Sequence, residues 1–308
     1  MSGWQTIESD AGVFTHLIEE LGVPDIQFEE IHTLDADALK ALPQVYGVVF
    51  LFHYNQSATS NTENSSTPKD GDWDYQAAED IFFANQTIQN ACGTQAILSI
   101  LLNQDINIGP TLAAFKEFTT GFPSELKGES LSNSEQIREV HNTFAKSSPF
   151  VDESTRPATS DDDAFHFVAY TVVNNKLYEL DGLQRAPISH GACTKDEFPE
   201  KIISVLQKRI ARYPDGEIRF NLLAVTQDKR IRARELGDEE TLEAENKKRE
   251  EWKFENELRK HNFVGFTIEL LRGVVKDKIK TGEYDAWVKD ATDKAQARIA
   301  EQQQKRRE

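Results

Sequence analysis

The sequence predicts an α+β fold, a central antiparallel β-sheet flanked by helices with a helical extension at its C-terminal end, and three observations carry that expectation. Residues 164–173 and 176–182 are two runs rich in β-branched and aromatic residues, joined by Asn174-Asn175, the pattern of a hairpin whose turn needs positive φ. Residues 45–54 form a third strongly strand-like run. Apolar-periodic helical segments lie between these runs, and from Gln227 the chain turns densely charged with alternating signs, as in a solvated helix.

In chain order, Asp10 is placed to cap a helix over residues 12–21, and strands are expected at 26–32 and 45–54. Residues 57–72, SATSNTENSSTPKDGD, are polar and predict a mobile surface loop or insertion. Ala96 to Leu102 is apolar enough for a buried helix that starts close to Cys92, and further helices are expected at 112–118 and 133–144. A second polar stretch, 147–163, runs directly into the hairpin. With 308 residues the expected layout is one sizeable domain, 1–227, followed by a charged helical linker at 228–258 and a helical extension at 259–308. In the extension, positions 263, 266, 270 and 274 make one apolar stripe, and 264, 268, 271 and 275 a second beside it. Some fifty residues rarely build a core worth more than ~3–5 kcal/mol, so this surface is expected to dock on the main domain or on a partner.

Composition limits the chemistry. Two cysteines and seven scattered histidines give neither a disulfide framework nor metal-ligand spacing, so no metal and no cofactor is expected. The first apolar stretch is broken by His16, Glu19 and Glu20, and no apolar run approaches 18 residues, so a soluble intracellular chain is expected, with no membrane partner. Residues 1–227 carry 15 basic and 33 acidic residues, whereas 228–308 carry 20 and 19. An acidic domain of this kind excludes nucleic acid as a partner and suits a basic or neutral one, although plain solubility explains the same charge.

The candidate chemistry begins at Cys92 in QTIQNACGT, where a helix N-terminus favours thiolate. A reactive sulfur needs a base. With Asn174-Asn175 as a two-residue loop, paired positions sum to 349, so Val168 faces Asp181 and His166 faces Leu183. His166 and Asp181 then share a face as diagonal neighbours, roughly 7–8 Å apart at the backbone and within side-chain reach. A three-residue loop would break that register. Cys92, His166 and Asp181 thus have the residue types of a nucleophile, a general base and an orienting acid. The Cys92 N–H and Gln86 are candidate oxyanion donors, and Gly93 is expected to let backbone approach closely. Each also has a plainer reading: Cys92 as a buried structural cysteine, His166 as a satisfied ring, Asp181 as a turn residue, Gln86 as a surface or capping amide. Cys193 has no comparable neighbourhood and is read as inert.

Gln86, Asn90, Cys92, Gly93 and Thr94, the block Phe165 to Phe167, and the block Leu177 to Gly182 together resemble the ubiquitin C-terminal hydrolases (peptidase C12) in motif, order and spacing. Further blocks at 107–128, 131–145, 216–225 and 259–271 resemble the long, proteasome-associated subfamily; the resemblance is thin at 57–72 and 231–253, and Ala11 stands where proline is common. The resemblance implies a papain-like fold with a knotted chain path, an entry strand at 4–10, and an active-site crossover loop at 147–163 that gates access. It implies the roles of nucleophile for Cys92, general base for His166, orienting acid for Asp181 and oxyanion donor for Gln86. It further implies hydrolysis at the C-terminal glycine of ubiquitin, docking of residues 259–308 on the proteasome's ubiquitin receptor, competition by a chromatin-remodelling subunit in animals, and residence in cytoplasm and nucleus. Two other functions fit the residues: a gated ubiquitin-binding adaptor of the proteasome with little activity of its own, and cysteine-dependent acyl transfer to a small amine, which lacks support from the ubiquitin-family blocks.

Overall fold

The computed structural model describes residues 3–53, 68–145, 165–214 and 219–305. The strands are β1 (Ile26–Glu30), β2 (Val45–His53), β3 (Asp72–Trp73), β4 (Phe165–Val173), β5 (Lys176–Leu180), β6 (Ile188–Ala192) and β7 (Phe220–Gln227). Among the described residues they form one seven-stranded sheet, ordered β1-β7-β2-β4-β5-β6-β3, with every neighbouring pair antiparallel.

Side chains alternate across this sheet, so each strand feeds two cores. Val48, Phe50 and Phe52 of β2 join Val168, Tyr170 and Val172 of β4 in one cluster with α2 (Ala36–Lys40) and α8 (Phe198–Ile210). Val49, Phe167 and Ala169 face the other cluster, built on α1 (Ala11–Glu20) and α4 (Cys92–Leu101). Asp10 caps α1 as expected, accepting from the Val13 N–H at 2.9 Å. The remaining helices of this part are α3 (Ala77–Asp80), α5 (Gly109–Thr119), α6 (Ser124–Asn133) and α7 (Glu135–Thr143). The helix expected at 112–118 starts three residues earlier because Gly109, at φ 71°, turns the chain into Pro110, which suits a first helical turn.

All ten residues of α4 are buried. Burial of a Leu or Ile stabilises by about 1.5–3 kcal/mol, so Ile97, Leu98, Ile100 and Leu101, all at 0% exposure, fix this helix against the sheet and with it the position of Cys92.

Residues 57–67 of one expected loop and all of 147–163 lie outside the described residues. The first loop ends earlier than expected, since Asp72 pairs with Ser189 in the short edge strand β3.

The charged segment 228–258 is helical, but one flank of it is buried rather than solvated. It forms α9 (Lys229–Leu236) and α10 (Glu239–Lys260), which belong to one compact unit with the sheet. Arg249, 7% exposed, reaches Glu19 Oε1 at 2.5 Å, Gln27 Oε1 at 3.1 Å and Asp228 Oδ2 at 3.2 Å. Asn256 donates to the Gly12 carbonyl, and Gly12 has no side chain to spare: a Cβ there would sit 2.5 Å from the Trp252 ring. Alternating charge reads the same whether its partners lie one turn away or on another helix, which is why this packing was not legible.

A second unit contains α11 (Val264–Thr281) and α12 (Tyr284–Lys305). No side chain of α11 is buried, and Phe266, Ile268, Leu270 and Leu271 are each more than half exposed.

Candidate active site

Cys92 is the first residue of α4, and its N-cap, Ala91, makes no side-chain cap bond. The first-turn N–H groups are therefore not satisfied by a capping side chain, and the positive end of the helix dipole lies at the sulfur. The thiol is 9% exposed.

The hairpin has the expected register. Asn174 and Asn175 take φ of 50° and 57°, and the pairs run from Val173 with Lys176 to Ala169 with Leu180. Asp181 therefore follows the last pair on the face that carries His166, and the two side chains meet: His166 Nε2 lies 2.7 Å from Asp181 Oδ1. A carboxylate only accepts, so Nε2 carries the proton, and Asp181 Oδ1 also accepts from the Leu183 N–H at 3.0 Å. The Cys92 sulfur also lies near enough to this ring to favour its charged form. With Nε2 engaged by Asp181, Nδ1 is the nitrogen that serves the sulfur.

Electrostatics follow this geometry. Burial works against a charged His166, but Asp181 outweighs it, with Cys92 adding to the effect, and the ring is raised to about 9. Burial alone would raise the Asp181 carboxyl; the facing His166 overcomes this and holds it below the usual carboxylate range. The imidazole is thus protonated at neutral pH, held between a carboxylate and a sulfur.

Gln86 is tied to the same turn, its backbone N–H donating to the Gly182 carbonyl at 2.8 Å. Gly182 is wedged against α4: an added Cβ would lie 2.2 Å from Gln95 Nε2 and 3.0 Å from Gln86 Cβ. Gln95 in turn donates to the Ala84 carbonyl at 2.6 Å, holding the segment that leads into Gln86. Gly93 behaves differently from the expectation of a close backbone approach, since a Cβ there would meet Ile7 and Phe167 at an ordinary 3.5 Å. Cys193 is buried, its thiol pushed up by burial, and its Sγ–H donates to the Thr194 carbonyl at 3.4 Å. Among the described residues no group of three or more His, Cys, Asp or Glu could hold a metal ion.

Two neighbouring arrangements were not legible in the sequence. Thr94, in the first turn of α4, bonds His141 Nδ1 at 2.7 Å, while His141 Nε2 contacts the Gln5 carbonyl at 2.6 Å. The carbonyl only accepts, so this ring donates from Nε2, accepts at Nδ1 and is neutral, its pKa lowered by burial. The N-terminal segment, expected as an entry strand, is held this way and by a single Ile7–Ala145 bridge. The second arrangement is a buried cluster of Tyr170, Glu179, His190 and Arg209 behind the His166–Asp181 pair. The one available signal was that Tyr170 and Glu179 also sum to 349 and so face each other across the hairpin.

This arrangement matches known proteins along most of the chain. The family described as "Ubiquitin carboxyl-terminal hydrolase, family 1" matches residues 4–211, and "Ubiquitin carboxyl-terminal hydrolases" (UCH_C) matches 238–279. Ubiquitin carboxyl-terminal hydrolase 2 of Schizosaccharomyces pombe is 50% identical over 296 residues, covering 94% of this chain and 96% of that one. The hydrolase ubh-4 of Caenorhabditis elegans is 36% identical, over 95% of this chain and 94% of its own length. Among solved structures, Trichinella spiralis UCH37 bound to ubiquitin vinyl methyl ester is 33% identical with a TM-score of 0.66, covering 82% of this chain and 100% of that one. Its catalytic domain in the same kind of complex is 37% identical with a TM-score of 0.61, over 74% of this chain and 97% of that one. With its first family match spanning 4–211 and half its residues shared with a relative of nearly equal length, the chain belongs to ubiquitin carboxyl-terminal hydrolase family 1, the cysteine-type deubiquitinases of peptidase family C12.

Proposed function

We propose that this deubiquitinase cleaves bonds at the C-terminal glycine of ubiquitin by thiol chemistry at Cys92, with His166, Asp181 and Gln86 in the roles assigned from the sequence. The observation that carries this reading is the His166 ring bonded to Asp181 at 2.7 Å, with the Cys92 sulfur near enough to favour the charged ring. A ring held between a carboxylate and a sulfur is placed to exchange protons during attack and release. The Cys92 thiolate attacks the glycine carbonyl, and the oxyanion is held by the Cys92 N–H and the Gln86 amide. His166 gives its proton to the leaving amine, then takes one from the water that attacks the acyl-enzyme, while Asp181 fixes the ring's tautomer throughout.

Residues 259–308 are proposed to dock on a partner, which the exposed apolar surface of α11 with Phe266 and Leu270 supports; that this partner is the proteasome's ubiquitin receptor, that a chromatin-remodelling subunit is a second one, and that the work lies in cytoplasm and nucleus are proposals taken from the family resemblance. The test is hydrolysis of ubiquitin bearing a fluorogenic C-terminal amide by wild type and Cys92→Ala. Turnover by wild type alone is expected. Turnover by both refutes the thiol mechanism, and ubiquitin binding without turnover by wild type favours the gated adaptor.

A further inference from the structure

Behind the His166–Asp181 pair lies a buried polar cluster with no part in the chemistry described so far. Arg209, in the last turn of α8, is 7% exposed, and its guanidinium carbon sits 4.4 Å from the centroid of the Phe52 ring. Phe52 stands directly opposite His166 across β2 and β4, the two rings edge to face at 5.7 Å. The same guanidinium donates from Nη1 to Glu179 Oε1 at 2.5 Å and to Tyr170 Oη at 2.8 Å. Tyr170 donates on to Glu179 Oε2 at 3.1 Å, and His190 Nε2 stands 3.3 Å from that oxygen. Glu179 precedes Asp181 by two residues and so points to the same face of its strand. One side chain therefore grips both supports of the pair: the ring packed on the imidazole and the strand that carries the carboxylate.

Stability is a weak reason for choosing an ion pair here over apolar packing. Replacing a buried ion pair by apolar residues is often neutral or stabilising, and Arg209 Nε is buried without a hydrogen-bond partner among the described residues, which adds cost. What an arginine supplies is a charge that never leaves. Once His166 has protonated the leaving amine, Asp181 faces a neutral ring, and a buried carboxylate so placed needs another cation to stay ionised. Among the described residues, the ionisable groups around the pair are Cys92 on α4, Tyr170 on β4, Glu179 on β5, His190 on β6 and Arg209 on α8; among these Arg209 is the permanent cation, and its effect on Asp181 exceeds the opposing one of Glu179.

Resting on the roles given above to Cys92, His166 and Asp181, we propose that Arg209 is a positioning residue for the hydrolysis: it sets the His166 ring through Phe52 and keeps the Asp181 carboxylate charged through both half-reactions. The test compares full-length Arg209→Met/Glu179→Gln, Arg209→Lys and Cys92→Ala on the fluorogenic ubiquitin amide from pH 5 to 10. The double variant leaves no unpaired buried charge, so its melting temperature should stay near wild type. Its KM should hold while kcat falls about 10–100-fold, the usual cost of a misplaced catalytic group. The alkaline limb of its kcat profile should move roughly one pH unit toward acid as the imidazolium loses its carboxylate support. Arg209→Lys, which keeps the charge but not the planar fork, should restore the limb while kcat stays about tenfold low. A folded double variant with wild-type kcat and limb overturns the proposal, as does a fall in kcat that merely tracks melting temperature with the limb unmoved. If the double variant does not fold, Arg209→Lys decides alone, and wild-type kcat there overturns the proposal. Turnover by Cys92→Ala would instead refute the site reading itself, so the two failures are distinguishable.

Discussion

Substituting Gly182 by Ala replaces a hydrogen by a methyl group at the point where the turn after β5 meets α4. The new Cβ would stand 2.2 Å from Gln95 Nε2 and 3.0 Å from both Gln86 Cβ and its nitrogen. Gly182 does not have a positive φ, so the cost is steric rather than conformational. The Gln95 amide is the group that must yield, and at 6% exposure it has little room to do so without leaving the Ala84 carbonyl it holds at 2.6 Å. Overpacking of this kind costs about 1–3 kcal/mol, and an orphaned buried carbonyl about 1–3 kcal/mol more, giving roughly 2–6 kcal/mol. At about 2–4 °C per kcal/mol for a domain of this size, melting should fall by roughly 4–24 °C. Because the displaced segment leads directly into Gln86, kcat should drop further than stability alone requires. Truncating the clashing amide in the double variant Gly182→Ala/Gln95→Ala relieves the overpacking, so the two substitutions should be non-additive, the second costing less in the presence of the first. Thermal melts and kcat of the four members of this cycle decide it. A melting temperature within about 2 °C of wild type for Gly182→Ala, or strict additivity of the pair, would show that the wedge between the turn and α4 is not what holds this corner.

Hydrolysis should fall above about pH 9, where His166 gives up its proton, and a flat profile to pH 10.5 would contradict the protonated resting ring. The same ring contributes stability that is fully present below its unfolded value near 6.5 and is lost as pH rises through about 9, visible as a falling melting temperature on that side. Glu179 works in the other direction: burial would raise it, but Arg209 and His190 bring it to about 2, so its contribution is present above about 4.5 and disappears as pH falls toward 2. Cys92→Ser combined with His166→Ala should cost little more than either alone if they act as a unit; additive losses would contradict a shared mechanism. Deleting residues 261–308 should leave melting and ubiquitin-amide hydrolysis near wild type, whereas deleting 229–308 strips α10 from α1, including the Arg249 pairs, and should lower melting sharply, breaking a buried pair alone costing about 3–5 kcal/mol. Equal melting temperatures for the two truncations would mean that α10 contributes nothing to the main unit.

Local rules carried the sequence a long way here. Asp10 capping α1, the Asn-Asn turn and the buried run after Cys92 each depend on a few adjacent residues, and each formed as expected. The hairpin made a long-range statement possible as well, because a two-residue turn fixes every pair behind it by counting, and this brought His166 and Asp181 together before any coordinates were needed. Cys92 could be singled out by its motif, but its approach to the hairpin depends on how α4 packs on the sheet. Arg209 shares no local pattern with Phe52 or Glu179, and Arg249 none with Glu19 or Asp228. Those contacts join residues 21 to 230 positions apart, so only the packing of α8 and α10 decided them. The sequence by itself determined the candidate residues Cys92, His166 and Asp181, their order and the pairing within one hairpin, because backbone periodicity and turn chemistry are local. The tertiary structure decided which buried charges stand behind the site and which face of the charged helix is buried, because burial and ion pairing depend on neighbours that no sequence spacing specifies.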